Sequence, residues 1–374
     1  MTAPAGTAPA RPPTIYDVAR VAGVSIASVS RVLNGQGNPK ADTRERVQQA
    51  VAELGFVPDG AARALSARLK EVVGVVVRRP KWHEASMFAA EDENLQFPDM
   101  INRGMEIVAQ RYGFDLLIRS VDLAEPDARR HIFALARKSD GLILHDRVLS
   151  PEQLDELALQ VPIVTLAGQP TENTANVHGD NEGGMRELAR HLIEDHGYRT
   201  IAYLDGHEGS PDSLVRGAAL AEVAAAAGAM LLTGEDWRGG YQAAGGSQVI
   251  QRLIAAGAEM PRAIVCANDQ SAIGVLHALI RNGFAVPGDV AVTGFDDIPV
   301  ARHLRPQLTT IRQSIQDLGA TAFETLHSMI GRGPSAPGSA RGRDIALPTT
   351  LVRRESCGCE PEPIRPADAS GRRD

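Results

Sequence analysis

The chain has 374 residues and a formal net charge of −7, with 23 % charged and 43 % hydrophobic residues, 36 Gly and 23 Pro. These are ordinary globular values for two or three domains, and they exclude a collagen, a coiled coil or a wholly disordered chain. The longest apolar run, residues 223–232, is Ala-rich and far short of the roughly 20 residues of a membrane span.

Residues 1–13 are Ala/Pro/Thr with one Arg and no apolar core, which predicts a disordered arm and argues against a secretory signal. Three cysteines (Cys266, Cys357, Cys359) cannot build a disulfide framework, so a soluble, reducing, cytoplasmic setting is expected. Charge is unevenly placed. Residues 1–70 hold nine Lys/Arg against five Asp/Glu, whereas the remainder holds 30 against 41. A basic head on an acidic body is the pattern expected when only the head meets a polyanion.

After the arm, Thr14-Ile15-Tyr16-Asp17 sets a Thr three residues before an acid, close to a capping box, with the Thr14 hydroxyl expected to accept the Asp17 amide. Ile15, Val18, Ala19 and Ala22 recur on one helical face, and Gly23 ends that helix. Ser25 caps a second predicted helix over residues 26–34. Its Val29, Val32 and Leu33 face the first helix, while Ile26, Ala27, Ser28 and Arg31 fall on the other side. A loop over 35–39 leads to a third helix over 43–54, with Val47, Ala50, Val51 and Leu54 as its buried stripe. Residues 60–68 are helical in pattern but Ala/Arg-rich, and too short to be a stable helix alone.

From Val72 the texture changes to β-branched runs at 72–77, 114–118, 141–144, 162–166, 200–204, 263–267 and 290–295, each followed by a helix-like stretch. That alternation predicts parallel α/β sheets in two similar lobes, split near 167–176. Residues 345–353 read as one last strand.

The pair of helices around Gly23 is a helix-turn-helix. Its second helix can lie in a major groove with Ile26, Ala27 and Ser28 at base edges and Arg31 one turn on, where a guanidinium pairs with guanine and apolar groups meet a thymine methyl. Tyr16, Ser25, Ser30 and Asn34 suit phosphate contacts, and Thr14 joins them. The same residues, Thr14-Ile15-Tyr16-Asp17-Val18-Ala19, Ala22-Gly23-Val24-Ser25 and Val29-Ser30-Arg31-Val32-Leu33-Asn34, resemble the head of the lactose/galactose-repressor (LacI–GalR) family. Gly55-Phe56-Val57-Pro58, Ala62-Arg63-Ala64-Leu65, Asp140-Gly141-Leu142-Ile143-Leu144, Gly179-Asp180-Asn181, Ala267-Asn268-Asp269 and Gly294-Phe295-Asp296-Asp297 extend the resemblance over residues 14–356.

The resemblance implies an all-α helix-turn-helix head (14–57), a hinge helix (58–70) and a two-lobed, periplasmic-binding-protein-like α/β sensor (71–356), with later lobe crossovers near 297–345 and a disordered tail (357–374). It implies a repressor that binds a pseudo-palindromic operator as a homodimer, without cofactor or catalytic residues. Hinge residues Ala62, Arg63 and Leu65 would enter the minor groove, Leu65 as a wedge that kinks the duplex; the alternative for Leu65 is packing at the domain junction. An effector, a sugar or sugar derivative, would bind between the lobes at strand carboxyl ends, held by Arg216 and Asp269. Trp237 and Phe295 either offer aromatic faces to it or pack in the core, and Asp146 is a further candidate. Residues 79–94 form a charged insertion that either shapes effector choice or is simply solvated. Two other readings stand beside this one: a solute-binding or metabolic α/β protein with an incidental helical head, and a family member controlled by a protein partner.

No enzyme motif stands up. His191 and His196 are five apart, off the i, i+4 spacing that sets two ligands on one helix face, and read as solvated surface histidines. Cys357-Gly358-Cys359 reads as a lone pair near a loose tail with no second ligand pair, so no metal site is expected.

Overall fold

A computed structural model describes residues 13–33, 38–56, 69–78, 96–145, 147–331 and 340–360. The expected arm up to residue 12, the hinge helix with Ala62, Arg63 and Leu65, the insertion at 79–94 and the tail beyond 360 lie outside the described residues, as do Asn34 and Asp146. The chain divides into two units, residues 1–71 and 72–374.

In the first unit, helices α1 (Ile15–Ala22), α2 (Ile26–Leu33) and α3 (Ala41–Leu54) surround one small core. Val18, Ala19, Ala22, Val29, Val47 and Ala50 fill it, as the helical periodicities predict. Phe56, which the periodicity does not reach, closes its base at 8 % exposure. The α1 cap works through the acid: the Asp17 carboxylate accepts from the Thr14 amide at 3.0 Å and from the Thr14 hydroxyl at 2.7 Å. Gly23 turns the chain at φ 62°, and Ser25 then caps α2 by accepting the Ser28 amide at 3.2 Å. α3 starts two residues earlier than its stripe suggests, at Ala41 behind Lys40, whose side chain makes no capping bond.

The second unit carries two parallel sheets. The first runs β2 (Asp115–Val121), β1 (Val72–Arg78), β3 (Gly141–His145), β4 (Ile163–Leu166), β5 (Ala175–Gly179) and β11 (Asp344–Leu347). The second runs β7 (Met230–Leu232), β6 (Thr200–Leu204), β8 (Ala263–Cys266) and β9 (Ala291–Thr293). Their central strands are buried on both faces, which is why they read as unbroken Val/Ile/Leu runs. Helices α4 (Gln96–Tyr112), α5 (Ala128–Ala136) and α6 (Pro151–Ala158) cover the first sheet. Helices α7 (Asn181–Arg190), α8 (Pro211–Ala226), α9 (Ala243–Ala255) and α10 (Asp269–Arg281) belong to the second lobe. The late helix α11 (Ile315–Met329) returns to the first lobe and packs on α4. Glycines permit that approach: a Cβ on Gly104 would lie 1.9 Å from the Gln316 carbonyl oxygen, and one on Gly319 would lie 2.0 Å from that of Ile101.

Three expectations about this unit change. The first lobe does not end at 167–176, because β5 continues the first sheet to Gly179, pairing with both β4 and β11; the chain crosses at Asp180. The single last strand is two, since Pro348 has no amide hydrogen for a ladder. β11 joins the first sheet, while β12 (Thr349–Val352) pairs antiparallel with β10 (Thr310–Gln313). The tail does not begin at 357: Cys357 closes a short 3₁₀ turn, Glu355–Cys357, and is fully buried in the second-lobe core.

No helix among the described residues is long and apolar enough to cross a membrane.

Candidate functional site

On the head, the packing that buries Val29 turns the opposite face of α2 outward. Ile26 is 42 % exposed, and Ala27, Ser25 and Arg31 are exposed as well. An outward isoleucine on a helix of only eight residues gains nothing from the core, so contact with a partner is the simplest use for it. Arg31 lies along the helix, its Nε donating to the Ala27 carbonyl at 3.2 Å, and it forms no ion pair among the described residues. Ser28 and Ser30 are half-buried at the rim, and Tyr16 projects from α1 at 68 % exposure. The predicted base-reading residues thus share one exposed face, beside four of the predicted phosphate contacts (Thr14, Tyr16, Ser25 and Ser30).

In the sensor, Arg216 is the centre of a buried polar network. It stands on α8 with 3 % exposure. Its Nε donates to Asn181 Oδ1 at 2.8 Å and its Nη1 to the Ala267 carbonyl at 2.6 Å, while Nη2 lies 3.4 Å from Asp212 Oδ2. Its guanidinium stacks 3.7 Å above the Phe295 ring. Burial alone would weaken its charge, but the carboxylates of Asp212 and Asp296 keep it protonated. Phe295 is fully buried, part of the second-lobe core, with the guanidinium over its ring.

The acid that accompanies Arg216 is not the expected one. Asp269 has no exposure, and both its oxygens are taken, one by the Thr310 hydroxyl at 2.5 Å and one by the Ile298 amide at 2.9 Å. Burial, reinforced by Asp296, pushes its carboxyl well above the ordinary range. Asp212 is the acid paired with Arg216, and Asp296 lies near enough to act on it electrostatically. Asp296 accepts from Gln313 Nε2 at 2.8 Å through Oδ1, and its other oxygen accepts no hydrogen bond among the described residues. Its backbone sits at φ 121°, a region that non-glycine residues rarely occupy and that clusters at functional sites. The signal for Asp296 was present in the sequence, as an acid just past the carboxyl end of a buried strand.

Of the two alternatives for Trp237, the structure favours packing. Trp237 is 5 % exposed and packed among Leu204, Val249, Ile250 and Ile264, so its ring belongs to the core.

The network lies where the chain passes between lobes. Asn181 follows the first crossing at once, Gln313 precedes the second, and at the third Thr349 Oγ1 donates to the Asp180 carbonyl at 3.0 Å. Arg147, after β3, reaches the Glu208 carbonyl of the second lobe. A group bound against Arg216 and Asp296 would therefore bear directly on the connections that set the lobe angle.

His191 and His196 are not solvated surface residues. α7 runs into a π-turn, His191–Asp195, in which the His196 amide bonds to the His191 carbonyl at 3.3 Å. The widened turn brings residues five apart onto one face. His191 is 4 % exposed, and the ligand atoms of His191, His196, Cys357 and Cys359 all lie within 4.8 Å of one another. Sequence separation hides the second ligand pair, since the π-turn and the 3₁₀ turn meet only through the lobe fold.

Residues 14–59 match the family described as bacterial regulatory proteins, lacI family, and residues 189–357 match a periplasmic binding protein-like domain. The chain is 33 % identical to the HTH-type transcriptional regulator GalS of Salmonella typhimurium, over 92 % of this chain and 96 % of that protein. It is 34 % identical to the HTH-type transcriptional repressor PurR of Vibrio parahaemolyticus, over 84 % of this chain and 90 % of that protein. Among solved structures, the lac repressor dimer bound to operator and the anti-inducer ONPF matches with a TM-score of 0.77 at 27 % identity, covering 93 % of this chain and 99 % of that one. The complex of the transcriptional regulator CelR with cellobiose matches with a TM-score of 0.64 at 29 % identity, covering 92 % and 99 %. With its helix-turn-helix head, two-lobed sensor and full-length relatives, the chain is no enzyme but a DNA-binding transcriptional regulator, and it belongs to the lacI family of bacterial regulatory proteins.

Proposed function

We propose that the protein is a cytoplasmic repressor that binds a pseudo-palindromic operator as a homodimer and is released or recruited by a sugar or sugar derivative held between the lobes of its sensor. The observation that carries this reading is the outward face of α2, where Ile26, Ala27, Ser28 and Arg31 stand together on a helix whose other face is locked by Val29. Two such helices, one per protomer, would read adjacent major grooves, with Thr14, Tyr16, Ser25 and Ser30 on the phosphates. Leu65, in the hinge outside the described residues, would wedge into the minor groove between them.

In the sensor the effector would lie against Arg216 and Asp296. A guanidinium and a nearby carboxylate suit a polyol, whose hydroxyls both donate and accept. CelR, solved with cellobiose, supports this class of ligand. Asp269 keeps a supporting role, tying the start of α10 to β10 through Thr310. Control requires that the ligand bind one lobe arrangement more tightly than the other, and the three crossings beside Arg216 are where that difference would arise.

Selection of bound sequences from a random DNA pool by the purified full chain tests the reading. A recovered palindrome is the expected result, and its affinity should fall steeply with salt. Recovery of no preferred sequence, with and without candidate sugars, sinks the proposal. Leu65→Ser is expected to reduce both affinity and DNA bending, and unchanged bending would remove the hinge from the mechanism. A thermal shift with no sugar of a broad panel would turn attention to a protein partner instead.

A further inference from the structure

We propose that His191, His196, Cys357 and Cys359 form a closed, tetrahedral zinc site that staples the C-terminal segment of the sensor to the end of α7. Nothing in the operator or effector function uses these four residues.

The distances fit a cation. His191 Nε2 lies 3.2 Å from His196 Nε2, 3.5 Å from Cys357 Sγ and 3.4 Å from Cys359 Sγ, and His196 Nε2 lies 3.4 Å from Cys359 Sγ. Tetrahedral zinc with ordinary bond lengths places two imidazole nitrogens about 3.3 Å apart and a nitrogen and a thiolate about 3.5 Å apart. Four of the six edges of the cluster thus have the lengths of a coordination tetrahedron, and all the ligand atoms lie within 4.8 Å of one another.

The surroundings orient the ligands. His191 Nδ1 lies 2.8 Å from Asp195 Oδ2, and a carboxylate there accepts, so the ring proton sits on Nδ1 and Nε2 presents a lone pair to the cluster. The rings of His191 and His196 stand at 82°, which lets both Nε2 atoms converge without stacking. The Thr309 hydroxyl lies 3.1 Å from Cys357 Sγ and 2.9 Å from the Arg354 carbonyl, and its one proton is shared between these acceptors. Gly358 sits at φ 104°, which swings both cysteine side chains to one side, and a Cβ there would lie 3.3 Å from the Tyr198 hydroxyl. That hydroxyl in turn donates to the Cys357 carbonyl at 2.8 Å.

Two imidazoles and two thiolates, with no carboxylate among the ligands, select zinc over magnesium or calcium. Four protein ligands leave no open position, so the role is structural. The staple would join the π-turn after α7 to the segment that follows β12, two parts of the second lobe more than 150 residues apart in sequence; the separation of His191 and Cys357 is 166.

The test uses the full-length chain, purified with reductant, stripped by a chelator and titrated with Co(II) alone. One equivalent should give the intense visible bands of tetrahedral cobalt and a thiolate-to-cobalt charge-transfer band, and zinc should displace both. Cys359→Ser and His196→Gln should each lose the stoichiometric bands, while Cys266→Ser retains them. Asp195→Asn, a change at a half-exposed carboxylate that leaves all four ligands and the fold in place, should weaken binding about 10–100-fold. Metal-free protein should unfold at a lower temperature than the zinc form. Absence of the cobalt bands in the reduced chain, their persistence in both ligand variants, or a Cys357–Cys359 disulfide trapped by alkylation at lysis would each overturn the site.

Discussion

The head and the sensor hold their proposed functional residues in opposite ways. On α2, Arg31 and Ile26 are exposed, and their removal touches no core contact. In the sensor, Arg216 is 3 % exposed and spends its donors on Asn181, Ala267 and Asp212. A surface that must meet a large, preformed duplex can hold its reading groups ready in water. A site that must enclose a small ligand has to keep charged groups buried, and buried charges survive only when neighbouring groups pair them. Recognition and stability are therefore separable in the head and fused in the sensor.

Substitutions sharpen that contrast, beginning with the largest. Arg216→Ala leaves the Asp212 carboxylate and the Asn181 and Ala267 oxygens buried without their partner. It should destabilise the sensor by about 3–5 kcal/mol in urea unfolding as well as abolish effector response. A variant of unchanged stability would show that the network is not what holds the crossings together. Arg31→Ala is the counterpart in the head. It should weaken operator binding by about 1–3 kcal/mol while moving the unfolding midpoint hardly at all. A large loss of stability there would break the comparison.

The smallest effect concerns pH. Burial first and repulsion from Asp296 and Asp297 next raise the Asp269 carboxyl above the ordinary 3.8, so the folded sensor holds that proton to higher pH than the unfolded chain does. This contribution to stability is complete below that value and is lost as pH rises through the raised folded-state value. Asp269→Asn retains a neutral group able to serve Thr310 and Ile298, so unfolding measured across pH should show a flatter profile than the parent chain. An identical slope in the variant would move the titration to another of the buried acids.

Much of the molecule could be read from local pattern. The head helices follow from i, i+3, i+4 spacing and from caps such as Thr14/Asp17 and Ser25, and the central strands follow from their unbroken β-branched runs. Arg216 is picked out by the family resemblance, but the buried partners that hold it, Asn181, Ala267 and Asp212, come from distant parts of the chain. Asp269 follows a strand and so reads as a cleft acid, but sequence carries no information on whose oxygens are already taken. For Trp237 sequence leaves ligand contact and core packing open, and its cluster with Leu204 and Ile264 favours the second.

Sequence alone determined the kind of protein: a capped helix pair with an apolar inner face and a reading outer face, joined to two rounds of buried parallel strands. Those features arise from periodicity and backbone chemistry, which act over a few residues. Tertiary structure alone decided which acid meets Arg216, where the lobes divide, and that two histidines and two cysteines share one centre. These depend on contacts between residues as far apart as His191 and Cys359, separated by 168 positions, and no local rule reports a distance that only folding closes.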